Sequence, residues 1–290
     1  MLKVVGISRL HVTLLDLEGK WGRLDGGVGI ALERPRVVVR IGECAPPIQP
    51  PFQVPGVCLD EDYEPHVGLG HTTQLALAVA KASAEFNGVP MDSVRLARLV
   101  GRGSTSGVGV HAFQWGGMVL DGGHSVKVKP TPSPSDYSSA PPPPLLARFR
   151  FPWKLYVNIP SRGRRIFGEE ERAAFRARVE GTAELARVVL MGLLPSVVEE
   201  DVEEALRSID AIQSLGFKRV EWLLQSEEVR SLASSMRTRG FYVGLSSFGP
   251  AIYTFLSSER EGRELISTFG GFVTEPNNRG AKVEWSTTNS

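Results

Sequence analysis

The sequence predicts an α+β protein of two domains, and three features carry that reading. β-patterned runs fill the first forty residues, a glycine turn then feeds a long apolar helix, and a proline-rich stretch divides this part from a second mixture of helices and strands. With 290 residues, 42% of them hydrophobic, the chain can bury a sizeable core and suits one large or two ordinary domains. The expected units are 1–144, with a linker at 130–144, and 145–290.

From Val4 to Leu17 the β-branched and apolar residues predict a strand, with Arg9, His11 and Thr13 on one face and Leu10, Val12 and Leu14 on the other. Val28 to Leu32 and Arg36 to Ile41 continue the β pattern, and the prolines between Ala45 and Pro55 make an irregular excursion. Residues 72–86 are apolar almost all round, which predicts a buried helix ended by Asn87-Gly88. Asp92 caps a second helix, closed by Gly101. Gly109 to Gln114, Gly117 to Asp121 and Ser125 to Lys129 read as short strands.

Residues 130–144, rich in proline and serine, predict a linker or long surface loop. Beyond them Trp153 to Ile159 reads as a strand. Helices follow at Gly168 to Met191, Pro195 to Leu215 and Ser226 to Arg239, then a strand at Tyr242 to Leu245. A short helix over Pro250 to Phe255, another over Glu259 to Phe269 and a strand near Gly271 to Thr274 complete the second unit.

A net charge of +1 gives no global case for nucleic acid or an anionic membrane surface. Arginine supplies 25 of the 33 basic residues, which suits bidentate capture of phosphate or carboxylate and equally reflects codon use or a hot habitat. Cys44 and Cys58 have neither CxxC nor metal-ligand spacing, so a reducing cytoplasm is expected. The sequence opens without a signal-peptide pattern and contains no apolar run of membrane-spanning length, so a soluble cytoplasmic protein is expected.

The most informative segment is Pro65-His66-Val67-Gly68-Leu69-Gly70-His71-Thr72-Thr73-Gln74. Its glycines can take positive φ, and the unpaired N–H groups of the helix that follows favour an anion. A plain strand-to-helix loop is the competing reading. A second loop, Gly101-Arg102-Gly103-Ser104-Thr105-Ser106-Gly107-Val108-Gly109, could hold another phosphate but lacks the Gly-Lys-Ser/Thr of a Walker A loop. A third, Gly244-Leu245-Ser246-Ser247-Phe248-Gly249-Pro250, again leads towards a helix.

Asp25-Gly26-Gly27 and Asp121-Gly122-Gly123 are first of all hairpin-turn signals. Their aspartates, with Asp16 as a competitor, are also candidates to hold Mg²⁺ or face a developing cation. All five histidines, His11, His66, His71, His111 and His124, lie before residue 125 without zinc-ligand spacing. His11 stands out for sharing a strand face with Arg9. The acids at Glu199, Glu200 and Asp201 suit a helix first turn better than a ribose-binding pair, and Arg162 to Arg165 a solvated loop.

The order of the three glycine loops resembles the GHMP kinase superfamily. That resemblance implies an amino-terminal domain like ribosomal protein S5 domain 2 and a ferredoxin-like carboxy-terminal domain. Where those kinases continue the first glycine pair with Ser-Ser-Ala, this chain has His71-Thr72-Thr73-Gln74, which shifts the expected ligand from ATP to phosphoribosyl diphosphate. Arg9 to Asp16, Gly22 to Gly29, Gly101 to Ala112 and Gly117 to His124 are similar to the β-ribofuranosylaminobenzene 5′-phosphate synthase family.

That resemblance implies condensation of 5-phosphoribosyl 1-diphosphate with 4-aminobenzoate or 4-hydroxybenzoate, with loss of CO₂ and diphosphate, on the way to methanopterin. It implies Gly68, Gly70, Thr72, Thr73, Arg102, Gly103, Ser104, Thr105, Ser246 and Ser247 at the phosphates, and Arg9, His11 and Arg23 at the reacting centre. Asp16 and Asp25 are implied at Mg²⁺ or the cationic ribosyl carbon. Small-molecule substrates, no ATP and a homodimer are expected. A small-molecule kinase and a non-catalytic ligand-binding relative are the alternatives.

Overall fold

A computed structural model describes residues 1–177 and 179–286. In chain order the strands and helices are β1 (Leu2–Val5), β2 (Ser8–Asp16), β3 (Arg23–Leu32), β4 (Val38–Ile41), β5 (Val57–Glu61), α1 (His71–Phe86), α2 (Ser93–Leu99) and α3 (Val108–Trp115). Then come β6 (Met118–Asp121), β7 (His124–Ser125), β8 (Leu145–Phe149), β9 (Leu155–Asn158), α4 (Glu169–Ala174), α5 (Thr182–Val188), α6 (Leu194–Glu199), α7 (Val202–Ile212), α8 (Gly216–Leu224) and α9 (Glu227–Thr238). The chain ends with β10 (Gly244–Leu245), β11 (Ile252–Phe255), α10 (Glu259–Phe269), β12 (Phe272–Thr274) and β13 (Lys282–Trp285).

Three sheets organise these elements: β13-β1-β4-β5, β2-β3-β6-β8 with β7 attached to β3, and β10-β11-β9-β12. Antiparallel pairing puts one face of each sheet on a core. Val4, Val39 and Val57 pack against Leu77, Val79 and Leu96 of α1 and α2. Leu10, Val28 and Ile30 meet Val157, Tyr253 and the α5–α7 helices in the largest core, so the second and third sheets share one interior. Two segments beyond residue 144 return to the amino-terminal sheets, β8 beside β6 and β13 beside β1.

Several elements differ from the sequence expectation, each for a tertiary reason. Residues 109–114 lie in helix α3, whose entrance is held next to Asp121: its Oδ2, negative charge near the helix start, accepts from Gly107 N–H at 2.8 Å and Ser106 Oγ at 3.0 Å. Its short apolar run carried no periodicity to separate helix from strand. Residues 252–255 form β11, paired on both sides within the third sheet, where the β-branched and aromatic run outweighs the proline at its start. Of Ser125 to Lys129, only Ser125 is extended.

The helix expected over Gly168 to Met191 is broken into α4, α5 and a π turn, Gly181 (φ 79°) starting α5; residue 178 lies outside the described residues. The helix expected over Pro195 to Leu215 divides where Glu200 turns left-handed (φ 59°) and Asp201 caps α7 through Glu204 N–H. Helix α8 and strand β13 were not expected at all. The cysteines, expected as thiols, are joined: the β4–β5 pairing and the Val57 N–H bond to Cys44 O bring their Cα atoms to 5.0 Å, and Cys44–Cys58 is a disulfide.

The segment 130–144 is strapped down along its length. Ser104 Oγ donates to Ser135 O, Thr105 Oγ1 and Lys129 Nζ donate to Ser133 O, and the Nε2 atoms of His111 and His124 meet the carbonyls of Pro143 and Pro141. Prolines free the chain from a ladder, and these side chains supply the bonds a ladder would have given.

Candidate active site

One cleft, open to solvent at its mouth, is lined by the first two glycine loops, the third loop and one face each of α4 and α8, with a cavity of about 170 Å³. Its first wall is the start of α1. Gly70 precedes that helix with φ 79° and no side-chain cap, and the first intrahelical bond is Gln74 N–H to Gly70 O, so the N–H groups of residues 71–73 face outward. Thr72 and Thr73 line the cleft there.

Two arginines lean on this entrance. Arg9 Nη1 donates to Gly68 O at 2.8 Å, and Arg102 Nε donates to Thr73 Oγ1 at 3.2 Å while its Nη1 holds Asp136 Oδ1 at 2.7 Å. A Cβ at Gly70 would stand 3.0 Å from Arg9 Nε, so the missing side chain lets the guanidinium reach the helix end. Burial lowers the Arg9 pKa to about 10, still charged at neutral pH.

β2 brings Arg9 and His11 to the cleft, and a bulge between His11 and Thr13 changes its facing. Leu14, rather than the expected Thr13, joins them at the wall, and Thr13 is buried with its hydroxyl on Leu14 O. His11 is held through its main chain: its N–H donates to Ser246 Oγ at 2.9 Å, its carbonyl accepts from Ser247 N–H, and its Nδ1 has no partner. Burial, helped by Arg9 and Lys218, depresses its pKa well below the usual value, so the ring is neutral. Ser246 Oγ also donates to Gly68 O at 2.7 Å, locking the third loop to the first.

The opposite end is aromatic. Phe175 and Phe217 have ring centroids 4.8 Å apart, Phe248 crosses Phe217 edge-on at 5.6 Å, and Leu14 and Ile166 fill the flanks. Two carboxyl groups border these rings, each one helical turn from a phenylalanine: Glu171 before Phe175 and Glu221 after Phe217. Burial pushes the Glu171 pKa up to about 7, with Asp136 adding to the rise, and raises Glu221 against the pull of Lys218.

Arg9, His11, Gly68, Gly70, Thr72, Thr73, Arg102, Gly103, Thr105 and Ser247 therefore meet around one cleft. Five other expected residues lie elsewhere. Ser246 is the fully buried lock just described, and Ser104 faces a neighbouring hollow with its hydroxyl spent on Ser135 O. Asp16 Oδ1 accepts from the N–H groups of Glu18 and Gly19 in a turn after β2. Arg23 grips the carbonyls of Gly122 and Gly123. Asp25 lies inside β3, not in a hairpin turn, and its buried carboxylate holds Lys129 Nζ at 3.0 Å and His124 Nδ1 at 2.6 Å.

Neither Asp16 nor Asp25 lines the cleft: one oxygen of Asp16 is held by main-chain amides, and Asp25 is sealed against a lysine. Among the described residues no group of three or more His, Cys, Asp or Glu could hold a metal. Sequence reasoning missed Phe175, Phe217, Phe248, Glu171, Glu221 and Lys218. The signal for the last two was a charged pair at i, i+3 beside Phe217 and Leu224 in an amphipathic stretch.

Residues 37–117 match the family model described as GHMP kinases N terminal domain. The chain is 36% identical over 317 aligned residues to "Beta-ribofuranosylphenol 5'-phosphate synthase" of Archaeoglobus fulgidus, covering 98% of this chain and 100% of that one. The chain belongs to the beta-ribofuranosylphenol 5'-phosphate synthase family. A member of the same name from Methanothermobacter thermautotrophicus is 36% identical across 94% of this chain and 96% of its own. A putative homoserine kinase from Listeria monocytogenes superposes with a TM-score of 0.63 at 14% identity, covering 99% of this chain and 100% of that one, so the synthase family is built on the GHMP kinase fold. No helix among the described residues is long and apolar enough to cross a membrane.

Proposed function

We propose that this protein is a decarboxylating phosphoribosyltransferase that joins 5-phosphoribosyl 1-diphosphate to 4-hydroxybenzoate, releasing CO₂ and diphosphate and leaving a ribosylphenol 5′-phosphate. The observation that carries this reading is one cleft with two chemically distinct ends, an anion cradle and an aromatic box. The phenol in the relatives' name favours the hydroxy acid over 4-aminobenzoate, since loss of CO₂ from the former leaves a phenol ring.

In this reading the free amides of 71–73, the Thr72 and Thr73 hydroxyls and Arg102 take the phosphate groups, where helix-end amides and a guanidinium act together. Arg9 lies between the two ends and neutralises the benzoate carboxylate until the ring carbon has attacked. The neutral His11 offers Nδ1 to a ribose hydroxyl. Phe175, Phe217 and Phe248 pack the arene and keep water from the cationic ribosyl carbon, which would otherwise be hydrolysed. Asp16 and Asp25 do not line the cleft, and no step is assigned to a metal.

The test is product identification. The protein, phosphoribosyl diphosphate, Mg²⁺ and 4-hydroxybenzoate should yield a compound whose NMR spectrum shows a carbon–carbon bond between ribose and ring. A parallel incubation with ATP and candidate alcohols that gave ADP, with no riboside in the first, would return the protein to the kinases.

A further inference from the structure

The aromatic end contains a charged pair that phosphate binding and ring packing leave without a task. α8 places Phe217, Lys218 and Glu221 on one side, all three buried. Lys218 Nζ donates to Leu245 O at 2.9 Å, approaches Ser247 O at 3.5 Å and forms an ion pair with Glu221 Oε2. The lysine is thereby fixed to the third glycine loop, and the carboxyl group it holds lines the cleft beside Phe217, Phe248 and Arg9. Buried ion pairs contribute little net stability over apolar residues of equal volume, so stability alone does not account for this one.

We propose that Glu221, positioned by Lys218, takes the proton from the 4-hydroxyl group of the aromatic substrate. The proposal rests on the function given above. In the step, the phenolic O–H bond breaks and its proton moves to the Glu221 carboxylate as oxygen electron density enters the ring. The ring carbon bearing the carboxylate forms its bond to ribose C1, and the C1–oxygen bond to diphosphate breaks. The bond to CO₂ then breaks, its electron pair restores the aromatic phenolate, and Glu221 returns the proton.

The surroundings suit that task. Burial raises the Glu221 pKa and makes its carboxylate a stronger base than an exposed one, while Lys218 and Arg9 limit the rise. The groups facing it are Lys218 on its own helix, Arg9 from β2, Glu171 from α4 and Tyr253 from β11.

The experiment compares Glu221→Gln with the unchanged enzyme, using 4-hydroxybenzoate and a derivative with fluorine on both ring carbons next to the hydroxyl. Those fluorines make the phenol a stronger acid that ionises without a base. The variant should lose about 100-fold in kcat with 4-hydroxybenzoate and less than about fivefold with the fluorinated acid at pH 8, with KM for phosphoribosyl diphosphate within about twofold. Equal losses with both acceptors, or no loss, would overturn the proposal.

The unchanged enzyme gives an independent reading should the variant not fold. Its kcat should rise with pH for 4-hydroxybenzoate and stay flat over the same range for the fluorinated acid; matching profiles would count against Glu221. Failure of the unchanged enzyme to release CO₂ from either acceptor would instead remove the function on which the proposal rests.

Discussion

The two ends of the cleft are built in different ways. The anion end consists mainly of backbone: amides at the start of α1 and glycines at 68 and 70, with Arg102 from the second loop. The aromatic end consists of side chains from α4, α8 and the third loop, brought together only by packing. A helix entrance presents its amides whatever surrounds it, so the first end is local and robust. The second depends on residues far apart in sequence, and small side-chain changes there should alter acceptor choice before they alter phosphate binding.

Substitutions can break that division, from the largest expected effect to the smallest. Arg9→Gln removes the charge placed between the ends and should lower kcat/KM by about 1000-fold in CO₂ release; a loss confined to one substrate's KM would place Arg9 in one end only. Gly70→Ala adds a Cβ against Arg9 at a φ of 79°, and should raise KM for phosphoribosyl diphosphate by about 100-fold with less effect on the acceptor. Phe248→Leu should do the reverse, raising acceptor KM by about tenfold and leaving that for phosphoribosyl diphosphate within about twofold. Equal shifts in both constants for either variant would collapse the distinction.

Glu171 offers a smaller effect, read as stability against pH. Its pKa is raised from an ordinary carboxylate value to about 7, so the folded state holds the proton more tightly than the unfolded chain. The stabilisation from that proton is complete below the unfolded pKa near 4.5 and is lost as pH rises through 7. Glu171→Gln should therefore melt at a higher temperature than the unchanged protein at pH 8, with the difference shrinking towards pH 4.5. A constant difference across that range would separate Glu171 from the titration.

The wall at the start of α1 was legible in the sequence because Gly68, Gly70 and the helix behind them form a continuous motif with a single backbone consequence. Arg9 and His11 were legible from strand alternation, but the bulge after His11, which exchanges Thr13 for Leu14 at the wall, has no sequence signature of its own. Asp25 shows the opposite failure. Its Asp-Gly-Gly context suggested either a hairpin or a ligand, whereas its partners Lys129 and His124 lie about a hundred residues away and fix the proline-rich strap instead. α8 escaped because Gly216 and the charges at 218 and 221 obscured its apolar face. Burying that pair requires the third glycine loop, which only the folded chain supplies.

The most direct measurement counts CO₂ and diphosphate released from phosphoribosyl diphosphate and carboxyl-labelled 4-hydroxybenzoate in the presence of Mg²⁺. Equimolar release, slowed about 1000-fold by Arg9→Gln, is the expected result. Diphosphate formed without labelled CO₂, or neither product at any pH within about one unit either side of neutrality, would contradict the two-ended cleft as the seat of a decarboxylating ribosyl transfer.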